Sequence, residues 1–181
     1  MAIGSIKGAR DVSPTMAVGS VITHTSAWTK TRDKGVYTLP TSGNGVEVAV
    51  MTPSAITPQK AGNWIEIEFV LMGESLVNSI FLISRNDVLL ADSSDGTDAS
   101  NNRWSGITLL PYDTDQGSTP AGVIVRYVDD DSLDVASTYK LLARTTGASG
   151  GSVSANRPVS SSGATDNETG YSTAKLTEHV R

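Results

Sequence analysis

The run N-W-I-E-I-E-F-V-L-M at Asn63–Met72 alternates: Ile65, Ile67, Phe69 and Leu71 fall on one side of an extended chain, Glu66 and Glu68 on the other. That period of two belongs to a half-buried β-strand, because a helix would scatter the same residues around its circumference. Beyond Glu68 the second side turns apolar as well, with Val70 and Met72. This predicts a strand end covered on both faces, by a loop or by another subunit. Gly73-Glu74-Ser75 is expected to break the strand.

Working outward, the same alternation recurs in shorter pieces. Upstream, Val46, Val48 and Val50 alternate with Glu47, Ala49 and Met51, which predicts a strand with valines on its inner face, and Thr52–Gly62 with Pro53 and Pro58 reads as a connection. Ser20–Thr29 is rich in threonine and β-branched residues and reads as a first strand, Arg32–Gly35 as a turn, and Val36–Leu39 as a short strand stopped by Pro40. Downstream, Ser79–Ile83 and Val88–Leu90 flank Arg85-Asn86-Asp87 as a hairpin would. Asp92–Arg103 is a polar loop, and Asp129-Asp130-Asp131 an acidic turn. Gly106–Leu110, Gly122–Val128, Ser137–Thr145, Ser152–Asn156 and Ser172–Val180 are further strands. About eight to ten short strands punctuated by turn signals predict an all-β fold, an antiparallel β-sandwich of jelly-roll-like kind, over residues 19–181. Met1–Val18 has no period, carries Gly4, Gly8 and Pro14, and reads as an extended N-terminal arm that docks on a partner.

Composition narrows the function classes. A chain of 181 residues suits one domain plus an arm, burying roughly 70% of its unfolded surface. Cysteine is absent, which removes disulfides, thiolate chemistry and cysteine-held metals. A net charge of −5 without a lysine/arginine cluster argues against nucleic acid as a partner. No apolar run approaches the ~20 residues of a membrane span, and the N-terminal residues lack the apolar core of a signal peptide, so anchoring or export by a standard route is not expected and folding in a reducing cytoplasm fits.

A set of spaced motifs then forms a resemblance. G-S-V-I at Gly19–Ile22 and I-T-P-Q-K-A-G-N-W-I-E-I-E-F-V at Ile56–Val70 precede F-L-I-S-R-N-D at Phe81–Asp87; R-Y-V-D-D-D, S-T-Y-K-L-L-A-R, A-N-R-P-V and S-T-A-K-L-T-E-H-V follow. The chain from Gly19 to Val180 resembles the tail-fibre-like and head-fibre-like β-domains of bacteriophage virion proteins from environmental tailed phages. The resemblance implies a jelly-roll-like sandwich, commonly trimeric, displayed on a virion. Such domains in long fibres normally follow a shaft, whereas here only the arm precedes, which favours a small capsid or tail component.

Each candidate site has a plainer reading. Gly147-Ala148-Ser149-Gly150-Gly151 matches G-x-S-x-G, and Ser149, Asp166 and His179 follow in hydrolase order. The mechanism needs that serine on a strained strand-to-helix elbow, so a Ser/Gly-rich surface loop is preferred and His179 is expected to be solvated beside Lys175 and Thr177. His24 has no second ligand at metal spacing. Asp92–Asp98, and Asp129–Asp134 with Glu168, could offer oxygens to calcium, but neither has the spacing of a calcium loop. Of Trp28, Trp64 and Trp104, the last sits at the end of the polar loop Asp92–Arg103 and fits a subunit interface better than a sugar platform. No catalytic, cofactor or metal site is therefore assigned, and the chain is not expected to be an enzyme. The expectation is a trimeric capsid decoration or short head-fibre protein of a virion, its arm held by a capsid or tail protein. The apolar outer faces of Phe69–Met72, Ser79–Ile83 and Val88–Leu90 would be hidden between its three copies. A tail-fibre adhesin or carbohydrate-binding module, with a host-surface glycan as partner, is the alternative.

Overall fold

The computed structural model describes residues 21–22, 28–90, 106–111, 120–131, 134–145, 150–159 and 169–180. The arm, residues 1–18, lies outside them. In chain order the strands are β1 (Val21–Ile22), β2 (Trp28–Thr31), β3 (Gly35–Leu39), β4 (Val46–Glu47), β5 (Trp64–Ser75), β6 (Ser79–Arg85), β7 (Val88–Leu89), β8 (Thr108–Leu110), β9 (Ala121–Asp129), β10 (Tyr139–Thr145), β11 (Gly151–Ala155) and β12 (Ser172–His179). They form two antiparallel sheets, seven strands in one and five in the other. The all-β sandwich is as the alternation of apolar residues predicts.

β5 is the spine of the larger sheet. Along one edge β9 pairs with it from Ile65↔Asp129 to Gly73↔Ala121. The other edge is shared: β12 takes Trp64 to Val70 and β11 takes Gly73 to Ser75. Outside these, β1 and β2 line β12, and β3 lines β11. The passage from β2 to β3 therefore crosses a gap where β11 has ended and β12 has not begun. In the smaller sheet the order is β4-β10-β6-β7, with β8 on β6. Asn86 and Asp87 connect β6 to β7 with φ of 49° and 69°, the two left-handed residues that a tight hairpin turn demands.

The core lies between the sheets. Ile65, Ile67, Phe69 and Leu71 of β5 meet Phe81 and Ile83 of β6 and Tyr139, Leu141 and Ala143 of β10 in one buried cluster, with Val123 and Val125 of β9 and Leu176 of β12. At about 1.5–3 kcal/mol for each large apolar side chain withdrawn from water, this cluster is the main source of stability.

Four local expectations are corrected. Val46–Met51 is not one alternating strand: β4 stops at Glu47, and Ala49–Met51 forms a 3-10 turn with Met51 N–H on the Val48 carbonyl at 2.9 Å. Its inward residues are thus Val48 and Met51, three apart, while Val46 and Val50 are half-buried. Gly73-Glu74-Ser75 does not break β5. A Cβ at Gly73 would stand 2.3 Å from the Ser154 carbonyl oxygen, so the glycine is what lets β11 approach. The expected first strand is two pieces, β1 and β2. Finally, the outer face of β6 needs no sister copy, since Ile80 and Leu82 are buried within one chain.

Candidate functional site

Of the serine-triad residues, Ser149 and Asp166 lie outside the described residues, as do His24, Trp104, Asp92–Asp98 and Glu168. His179 is described, and it is not solvated. It ends β12 opposite Trp64, the two rings stack with centroids 3.9 Å apart and planes 3° from parallel, and His179 Nε2 lies 3.0 Å from Glu66 Oε2. The stack removes most of the imidazole from water. Trp64 spends one ring face on this contact inside its own chain.

The acidic turn resolves into a cross-sandwich latch. Arg85 and Tyr139 are register partners on the smaller sheet, and Asp129 ends β9 on the larger one. Arg85 Nη1 donates to both Asp129 oxygens, at 2.9 and 2.8 Å, while the Tyr139 hydroxyl donates to Asp129 Oδ2 at 2.8 Å. Arg85 Nη2 reaches Asp131 at 3.0 Å. Burial, then the hydrogen bond to Asp129, pushes the Tyr139 phenol far above its ordinary value. Burial pulls the Arg85 guanidinium down, but Asp129 outweighs it and holds it above its ordinary value. Of the acids weighed as calcium ligands, Asp129 is thus committed to an arginine and a tyrosine and Asp131 to the same arginine. Among the described residues no group of three or more histidine, aspartate and glutamate side chains converges as a metal site requires.

A second polar knot fills the gap beside β5. Asn156, at φ 59°, follows β11 in the left-handed region that asparagine tolerates. Its amide nitrogen donates to the carbonyls of Thr31 and Asp33, its backbone N–H to Met72, and its Oδ1 accepts from the Ser172 hydroxyl, which itself accepts from Met72 N–H. This one residue ties four stretches together: the end of β2 with its turn, β5, β11 and β12. At the other end of β12, buried Glu178 accepts from Gln59 N–H at 2.8 Å and Asn63 Nδ2 at 2.7 Å, pinning the connection before β5 onto β12.

The third cluster is exposed. Lys30 Nζ lies 4.4 Å and Arg32 Cζ 4.0 Å from the centroid of the Tyr171 ring, at the edge where β2 runs beside β12. Sequence reasoning passed over this cluster, because Arg32 looked like one member of a turn and Tyr171 like the end of a loop. Only the pairing of β2 with β12, across more than half the chain, brings them together.

No protein-family model matches this sequence, and neither does any curated protein.

Proposed function

We propose that the chain is a structural protein of a bacteriophage virion, a homotrimeric capsid decoration or short head-fibre component whose N-terminal arm docks on the particle while the sandwich faces outward. One observation carries this reading: the residues that make the resemblance are scaffold residues. Arg85 of the R-N-D motif, Asp129 of Y-V-D-D-D and Tyr139 of S-T-Y-K form the latch between sheets, and Asn156 of A-N-R-P-V forms the knot between strands. Motifs spent on holding a sandwich together favour a displayed architectural domain over a catalytic one.

The trimer contact is assigned differently from the sequence-based expectation. Among the described residues β9 pairs with β5 alone, and Ile124 and Val128 of β9 and Leu109 of the neighbouring β8 are about half or more exposed along that flank. Ile124 and Leu109 carry the largest exposure there, at 52% and 62%. A threefold ring joins unlike patches of adjacent copies, and an apolar edge strand is a natural half of such a contact. Light scattering on the purified full chain should give the mass of three copies, and Leu109→Glu with Ile124→Glu should give that of one. Removing residues 1–18 should leave a folded trimer that no longer joins particles. A truncated chain present on particles at full copy number would sink the docking role of the arm.

A further inference from the structure

The edge formed by β2 and β12 carries charge opposite in sign to the protein's net −5. Lys30, Arg32 and Lys34 come at alternate positions through β2 and the following turn, and Lys175 stands on β12 two register pairs from Thr173, which faces Lys30. All four cations are exposed. Two of them crowd one ring. Each cation–ring contact is favourable, yet two like charges against Tyr171 repel each other.

Nothing on the described chain relieves that repulsion. Among the described residues none of the four forms an ion pair, whereas Arg85, Arg126 and Lys140 each hold a carboxylate. The acids of the same sheet face are turned away from the edge: Glu68, register partner of Lys175, is held by Arg126 of β9, and Glu66 by His179. Asp33 sits between Arg32 and Lys34 but pairs with neither, and its backbone is fixed by Thr31 Oγ1 and by Asn156. The turn is thus clamped from inside while its cationic heads stay uncompensated. A clamped backbone lowers the ordering cost of any ligand that pairs with those heads.

We propose that this edge binds an acidic polysaccharide, a sugar chain bearing carboxylates. Carboxylates of successive sugars would pair with Lys34, Arg32, Lys30 and Lys175, which follow one another in that order along the edge. The row Lys30–Thr173–Val70 across the sheet offers a hydroxyl and half-buried aliphatic ground to sugar hydroxyls and C–H faces. Nucleic acid fits less well. Four cations fall short of the roughly six to ten phosphate contacts of a typical binder, and the rest of the protein repels a long polyphosphate.

As a role on a displayed surface this inference rests on the virion reading, but the binding itself does not, so the test uses the purified full chain. Biolayer interferometry would compare polygalacturonate and alginate with neutral galactan and single-stranded DNA. The acidic sugars should bind at about 50 mM salt and weaken as salt screens the charges; galactan should not bind. Lys30→Glu with Arg32→Glu should weaken binding by at least ~tenfold with an unchanged melting curve, while Lys60→Glu, away from the edge, should match the parent. Absence of binding to both acidic sugars, equal binding by the charge-reversed protein, or DNA binding as tight as polyuronate would each overturn the proposal. Charge-reversed protein that still joins particles would leave the structural reading standing, which separates the two failures.

Discussion

Two places in this molecule set an arginine beside a tyrosine, and they come to opposite ends. At the latch, Arg85 and Tyr139 converge on the buried carboxylate of Asp129, and the charges are closed between the sheets. At the β2–β12 edge, Arg32 and Lys30 converge on the ring of Tyr171, 41% exposed, with no carboxylate between them. The same residue types make a fastening where an acid completes them and a reactive surface where it does not. What separates structure from candidate function here is one missing negative charge.

The largest effect should come from opening the closed member of the pair. Asp129→Ala leaves a guanidinium and a hydroxyl facing a buried void, and the loss expected for breaking such a group is about 3 kcal/mol. Urea denaturation checks it; a loss below ~1 kcal/mol would mean that water replaces the carboxylate freely. The latch also sets an alkaline limit. An unfolded tyrosine ionises near 10 and Tyr139 in the fold well above that, so the fold holds this proton more tightly than the unfolded chain. Its contribution is complete below about pH 10 and drains away as pH climbs toward the folded value. Phenolate absorbance from Tyr139 should appear only together with unfolding, and in Tyr139→Phe that step should vanish from the titration.

A smaller loss is expected at the knot that supports the open member. Asn156→Ala removes three side-chain hydrogen bonds and places a Cβ-bearing residue at positive φ without local compensation, for about 2–3 kcal/mol. Asn156→Gly relieves the backbone and keeps the bond loss, so it should fall between the parent and the alanine variant. Because Asn156 holds the Asp33 carbonyl, hydrogen exchange should rise at Arg32–Gly35 in both variants. Protection unchanged there would mean that the turn is not clamped from within.

How much of this was legible in the sequence follows the range of the interactions. β5, the β6–β7 hairpin, β9, β10 and β12 announce themselves, because alternation and turn chemistry are written in neighbouring residues. Val46–Met51 misleads for the same reason: three alternating valines read as a strand, yet Val48 bonds to Leu141 of β10 at 2.8 Å and the chain then coils so that Met51 also points inward. Gly73 reads as a breaker until β11 is known to press on it. His179 reads as a solvated residue until Trp64 is found across the sheet. The latch and the basic edge unite residues from distant segments, and no local pattern marks Asp129 as buried or Tyr171 as a seat for two cations.

The sharpest test of the contrast converts the open cluster into a closed one. Thr173 is the register partner of Lys30 and lies beside the Tyr171 row on the same face. Thr173→Glu would install the carboxylate that the edge lacks, as Asp129 does for the latch. The expected gain in stability is only about 0.5 kcal/mol, since the pair stays in water and two long side chains must be ordered; Thr173→Gln, with the same shape and no charge, should give none of it. The effect on binding should be far larger than the effect on stability, because the new acid occupies the cations and repels any polyanion. Thr173→Glu should therefore lose polyuronate binding while melting at or slightly above the parent, and Thr173→Gln should keep it. A glutamate variant that binds polyuronate as well as the parent would show that Lys30 and Arg32 were never the contact, and the two arginine–tyrosine clusters would then differ in burial alone.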